Sequence, residues 1–138
     1  MTTLKEVELN QRKLEPGARN DGGKLRYDLL PARPLEEMVA VLTNGAEKYG
    51  DDNWRKGMSW SRHFAAAMRH AWAWFRGENL DRDSGRSHLA HAAVSFMFLM
   101  QYVFDKLGTD DRYKDVDHKL KAEANTRPLI TKANDYGN

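Results

Sequence analysis

The sequence predicts an all-α protein, a small helical bundle. Three observations carry that expectation. Apolar residues recur at helical spacing in three separate stretches, almost no stretch alternates with period two, and glycine, proline and serine punctuate the pattern where helices start and stop. A chain of 138 residues is about one domain's worth and can bury a core.

In the first stretch Pro31 and Pro34 bracket a helix start, and Leu35, Met38, Leu42 and Ala46 follow at helical spacing. Gly45 and Gly50 weaken or end the pattern, which gives a core helix of about three turns. A polar loop carrying Trp54 comes next. A second helix is expected from Ser59 or Ser61, both good N-caps, to Arg76, with Gly77 just past its end. The third is expected to open at Asp83 or Ser84 and run to about Leu107, with Gly108 as its stop. Residues 1–33 read as an arm and a loop, with turn chemistry at Glu15-Pro16-Gly17 and Asn20-Asp21-Gly22-Gly23 and an extended piece over Lys24–Asp28. Beyond 108 the apolar residues thin out into a short helix, Val116 to Ala124, and a tail. The expected division is an N-terminal arm at 1–19, a catalytic helical domain at 20–108 and a C-terminal segment at 109–138.

Composition excludes several chemistries. No cysteine is present, so thiolate nucleophiles, disulfides and cysteine metal sites drop out. Apolar runs fall far short of the roughly 18 residues that a membrane span needs. The first twenty residues carry no apolar core of a secretory signal, so a cytoplasmic protein is expected. The net charge is +2 with no basic arm, which argues against nucleic acid as a partner.

All four Trp and four of the five His lie between positions 54 and 91. At about 100° per residue, Arg62, Arg69 and Arg76 form one stripe of the second helix, and His63, His70 and Trp74 form its neighbour. Phe64, Met68, Ala71 and Phe75 form the expected core face. The third helix is apolar almost all round, as in a bundle or an oligomer. His88, His91, Ser95 and Tyr102 interrupt it along one side, which reads as a wet groove. The connector before it carries Glu78, Asp81 and Asp83, hard oxygen ligands suited to Mg²⁺ or Mn²⁺. Ser84-Gly85-Arg86 reads as a helix start able to hold phosphate. These are the parts of a metal-nucleotide site.

Six blocks resemble a known family. They are Asn20-Asp21-Gly22-Gly23-Lys24-Leu25-Arg26-Tyr27-Asp28-Leu29-Leu30-Pro31, Gly45-Ala46-Glu47-Lys48-Tyr49-Gly50, Asn53-Trp54 with Gly57, Arg69-His70, Ala73-Trp74, and Gly77 to Gly85 with His88 and His91. Together they are similar to the phage dATP/dGTP diphosphohydrolase family, N-terminal domain type, and span about residues 20–104. The resemblance implies a MazG-like all-α nucleoside triphosphate pyrophosphohydrolase. Such an enzyme uses Mg²⁺ held by acidic residues, with Mn²⁺ or Co²⁺ as substitutes, to split dGTP or dATP into the monophosphate and pyrophosphate. It implies a site completed in a homodimer or homotetramer, and nucleotide-pool work in the cytoplasm of a phage-infected bacterium. The MazG pattern is ExxE on one helix and ExxD on the next. Here Glu78-Asn79-Leu80-Asp81 spells ExxD in the connector, and the first helix holds Glu36, Glu37 and Glu47 without an ExxE.

On this reading Glu78 and Asp81 are metal ligands, with Glu47 or Glu37 contributing from the facing helix. His88 and His91 serve as ligand, general base or acid. Lys24, Arg26, Lys48 and Arg69 clamp phosphate. Tyr49 or Trp54 stacks on the purine, and Asn53 and His70 complete the substrate side. The alternatives are a non-catalytic helical module that binds nucleotide or protein, and an HD-type phosphohydrolase. The second needs an adjacent His-Asp pair, and no His here is followed by Asp.

Overall fold

In the computed structural model, residues 1–14 and 16–114 are described, and they form four helices. Two compact units divide these residues, Met1–Tyr27 and 28–114. The expected helix at Val116 to Ala124 lies outside the described residues.

The first unit holds α1, Leu4–Leu14, where an arm was expected. Its start is a reciprocal cap: Thr3 Oγ1 accepts from the Glu6 amide at 3.3 Å, and Glu6 Oε2 accepts from the Thr3 amide at 2.8 Å. This is the Thr-x-x-Glu capping box. Lys24–Asp28 does not form an extended piece; a 3₁₀ turn covers Tyr27–Leu29.

The second unit begins with α2, Ala32–Tyr49, which runs straight through Gly45 for five turns rather than three. It ends where the Gly50 amide reaches the Ala46 carbonyl, with Gly50 at positive φ. The helix α3 covers Trp60–Phe75 and α4 covers His88–Asp105. The α4 helix lies mainly on α3 and secondarily on α2. Val41 of α2 packs with Ala90 and Val94 of α4, joined by Met38, Leu42, Met97 and Phe98.

The faces of α3 and α4 agree with expectation only in part. Their buried seam is the polar one: His63 and Ala67 on α3 meet His88, Ser95 and Tyr102 on α4. Tyr102 is fully buried. Its hydroxyl donates to the Trp54 carbonyl. That leaves the phenol oxygen to accept from His63 Nε2, 3.1 Å away. Phe98 adds an edge contact to the His63 ring at 5.4 Å. Of the residues expected in the core of α3, Phe64 is 54% exposed and Phe75 72%, while Met68 and Ala71 are partly buried. On α4, Leu89, Phe96, Met100, Val103 and Phe104 are exposed. Periodicity identifies stripes but not which one is inward. A polar seam whose groups are mostly hydrogen-bonded can be buried, and an apolar stripe can be left for another surface.

The start of α3 is tied by a strap from residues 107–111. Trp60 donates through Nε1 to the Leu107 carbonyl at 2.8 Å, and its amide donates to Thr109 O at 3.0 Å. Ser59 offers no side-chain cap. Instead Asp111 accepts from the Ser61 amide at 2.9 Å and from the Ser61 hydroxyl, so the cap arrives from fifty residues downstream. These two bonds hold the Asp111 carboxyl below its ordinary range. The strap passes so close that a Cβ on Gly108 would lie 2.2 Å from the Met58 carbonyl oxygen.

Removing the buried hydroxyl with Tyr102→Phe orphans both the Trp54 carbonyl and His63. The expected cost is about 1–3 kcal/mol, read from the urea midpoint. Burial, followed by the charge of Arg62, lowers His63 below 6.5. The folded state therefore binds fewer protons than the unfolded chain, and stability falls as pH drops below about 6.5. Thermal midpoints are expected to decline from pH 7.5 to 5.5, with a shallower decline in His63→Gln.

Candidate functional site

The site forms where the end of α3 meets the start of α4, across the loop at 78–87. The loop folds back on itself. Asp81 and Arg86 pair through amide and carbonyl at 2.8 Å, Leu80 and Ser87 form an antiparallel bridge, and the His88 amide reaches Asn79 O at 3.0 Å. Gly85 closes the turn at a φ of +69°, which glycine adopts without strain. The α4 helix thus starts four residues later than expected. Ser87 is its cap, its hydroxyl accepting from the Ala90 amide. Ser84-Gly85-Arg86 is accordingly a turn and not a helix start, so the phosphate cradle expected there is absent.

Ser84 holds the loop to the helix. Its amide and hydroxyl both donate to Asp81 Oδ2, at 3.0 and 2.8 Å. With that proton used, its oxygen accepts from the Arg86 amide and from His91 Nε2, which is 2.7 Å away. The His91 proton is thereby placed on Nε2. Burial raises the Asp81 carboxyl, but the two Ser84 bonds and the nearby His91 and His70 outweigh it and hold the group below its ordinary value.

Three imidazoles gather beside it. His70 stacks on His91 with centroids 4.5 Å apart and planes within 10°. His70 Nδ1 lies 2.8 Å from His88 Nδ1, so one of them carries the proton and the other accepts it. His88 is 5% exposed. Its Nε2 is 3.2 Å from Glu78 Oε1, too far off line for a hydrogen bond, and so has no hydrogen-bonding partner. Burial first, then the charge of His91, lowers His70; burial also lowers His91, with Asp81 opposing in both cases. Neutral imidazoles at neutral pH are free to bind a metal or accept a proton. One donor atom from each of His70, Asp81 and His88 falls within 4.8 Å of the others.

The expected residues are distributed as follows. His70, Asp81, His88 and His91 come together, with Glu78 against His88. Glu37, half-buried on α2, faces Arg86 at 3.5 Å. Glu47 is exposed near the end of α2, and neither it nor Glu37 joins the three-residue donor group. Lys48 lies over the Tyr49 ring at 5.1 Å. The Tyr49 phenol, and to a lesser degree Asp83, raises the Lys48 ammonium. Arg69 is exposed on α3. Lys24, 4.0 Å from Asp21, and Arg26 belong to the first unit. Asn53 and Trp54 lie in a 3₁₀ turn over 53–56, but the Trp54 ring is already stacked on Phe98 at 4.3 Å. Trp54 is therefore a packing residue here, and the purine-stacking role expected for it is not what its surroundings provide. The sequence reading gave Ser84 and Arg86 a helix start and missed their observed roles, Ser84 as the lock on Asp81 and His91 and Arg86 as the partner of Glu37. Only the Asp-x-x-Ser spacing of a side-chain-locked turn hints at the first.

The profile of the family described as dATP/dGTP diphosphohydrolase, N-terminal, matches residues 14–112. The chain belongs to this family. A relative in Salmonella phage PMBT28, named dATP/dGTP diphosphohydrolase, is 34% identical over 96 residues. The match covers 70% of this chain and 33% of that protein, so the chain spans about a third of the curated relative's length. No solved structure matches. The diphosphohydrolase profile takes in α2, α3, α4 and the strap, so every residue of the imidazole cluster falls within it.

The Asp81 charge favours protonation of both neighbouring rings. In Asp81→Asn the His70 and His91 titration midpoints are expected to move further down, as read by NMR of the imidazole protons.

Proposed function

We propose that this chain hydrolyses a purine deoxynucleoside triphosphate, dGTP or dATP, to the monophosphate and pyrophosphate, with a divalent ion (Mg²⁺, Mn²⁺ or Co²⁺). The observation that carries this reading is the gathering of three imidazoles and a carboxylate at one helix junction in a member of the dATP/dGTP diphosphohydrolase family. The printed name of the phage relative supports the substrate class, and the expected setting is nucleotide-pool metabolism in an infected bacterium's cytoplasm. Among the described residues no helix is long and apolar enough to cross a membrane.

A bound ion supplies positive charge to the triphosphate and makes a water acidic enough to attack phosphorus. The chain's own groups do the rest. His91, neutral and held through Ser84 to Asp81, is placed to take a proton at Nδ1. The turn at 81–85 fixes that ring against His70, so the base is oriented before substrate arrives. Lys48 and Arg69 are exposed cations available to the phosphates. The large exposed apolar residues of α3 and α4 support assembly into a homodimer or homotetramer, in which a second copy covers them.

Purified protein is incubated with each dNTP and each metal, and the products are resolved. Pyrophosphate and dNMP from dGTP or dATP are expected, with at least a roughly 100-fold loss of kcat in His91→Ala. Orthophosphate with dNDP, triphosphate with nucleoside, or binding without turnover overturns the reading. Light scattering after gel filtration is expected to give two or four copies; a monomer removes the assembly from it.

A further inference from the structure

The donor set at this junction is wrong for magnesium. Magnesium prefers oxygen ligands in a strict octahedron and keeps its waters. Two imidazole nitrogens with one carboxylate suit Mn²⁺, Co²⁺, Fe²⁺ or Zn²⁺ instead. We propose that His70, Asp81 and His88 form a binding site for an imidazole-preferring transition-metal ion, with Glu78 orienting His88 rather than ligating. This rests on the same cluster as the proposed hydrolysis but concerns binding alone, with no nucleotide present.

Four features of the cluster argue for it. The Nδ1 atoms of His70 and His88 point at one another across 2.8 Å. In one ion's tetrahedral shell, metal–nitrogen bonds of about 2.0–2.1 Å put neighbouring donors about 3.3 Å apart. Replacing the shared proton by an ion therefore parts the rings by about 0.5 Å. Asp81 already has a donor atom within 4.8 Å of both, so closing the shell takes side-chain adjustment and no rearrangement of the helices.

The second feature is the buried nitrogen without a hydrogen bond. His88 Nε2 faces Glu78 Oε1 at 3.2 Å. If Nδ1 of His88 is the acceptor, Nε2 carries the ring's proton toward that carboxylate. A metal on Nδ1 keeps this tautomer, and a modest turn of the ring brings Nε2–H into line with Glu78. That is the carboxylate–imidazole–metal arrangement that fixes a ligand's ring and raises its basicity.

Third, Asp81 is held by two Ser84 bonds to one oxygen, Oδ2, which leaves Oδ1 for an ion. Fourth, the loop carrying Glu78 and Asp81 is fixed at both ends. The Glu78 amide bonds to Ala73 O at 3.0 Å on α3, and the His88 amide to Asn79 O on α4. Both carboxylates and both rings therefore sit on one rigid frame, as a preformed site requires.

The test uses the full chain stripped of metal by a chelator and titrated calorimetrically. One equivalent of Co²⁺, Mn²⁺ or Zn²⁺ per chain is expected, and Mg²⁺ at millimolar levels should not compete. Bound Co²⁺ should show d–d absorption of a nitrogen-ligated ion. His70→Asn and His88→Asn should lose the equivalent, while His63→Gln, away from the cluster, should retain it. Glu78→Gln should keep the stoichiometry and weaken affinity about 10–100-fold; an unchanged affinity overturns the orienting role. Because the histidine variants are partly buried, the wild-type chain supplies a second readout. Zn²⁺ should shift the ring-nitrogen resonances of His70 and His88 in NMR and leave those of His63 in place. Full Co²⁺ binding in His88→Asn, shifts confined to other residues, or effective competition by Mg²⁺ overturns the proposal. Failure to hydrolyse dNTPs would leave it standing, since no step of the measurement involves nucleotide.

Discussion

Two helices here meet through imidazole, hydroxyl and phenol rather than through aliphatic side chains, and every group on that seam needs a partner to be buried there. A buried polar group left unpaired costs about 1–3 kcal/mol, so the seam constrains the rest of the fold. Tyr102 is fixed by the Trp54 carbonyl and His63. His70 is fixed by His88 and by stacking on His91. His91 is fixed by Ser84, and Ser84 by Asp81. The loop at 78–87 and the turn at 53–56 thus belong to the same set of constraints as the helices they join. The cluster at one end of the seam and the stacked Trp54 and Phe98 toward the other follow from one packing decision.

That decision also accounts for the outer surface. With the polar stripes turned inward, Phe64 and Phe75 of α3 and Leu89, Phe96, Met100, Val103 and Phe104 of α4 are left exposed. Contiguous apolar surface of this kind marks an interaction face in soluble proteins.

Much of this was legible in the sequence, and what was not has identifiable physical causes. The three long helices follow from apolar spacing and glycine stops, and the His/Asp cluster follows from His70, Asp81, His88 and His91 lying within 22 positions. The inward side of α3 and α4 was not legible, because helical periodicity assigns stripes without saying which partner each will meet. The cap on α3 was also hidden, since Asp111 lies far along the chain and nothing local marks it. The start of α4 was misplaced because Asp83, Ser84 and Ser87 are all plausible caps. Only the bridge between Leu80 and Ser87 decides among them. Thr3 and Glu6, by contrast, spelled their cap openly, and the reading of the first residues as an arm passed over it.

The seam has a spacing as well as a chemistry. On α3 the buried His63 and the partly buried His70 are one heptad apart, and on α4 His88, Ser95 and Tyr102 repeat the same interval twice. Such a repeat keeps one stripe facing a partner helix along its whole length. Inserting or deleting one residue inside α4, between His91 and Ser95, would rotate everything beyond it by about 100°. Tyr102 would leave the interior and Val103 or Gln101 would take its place, although the imidazole cluster at the start of α4 would be untouched. Length changes within α3 and α4 are therefore far less tolerable than substitutions on their outer faces. A change of length between Arg82 and Asp83, at the exposed tip of the loop, leaves the register of both helices alone but breaks the turn by which Ser84 joins Asp81 to His91.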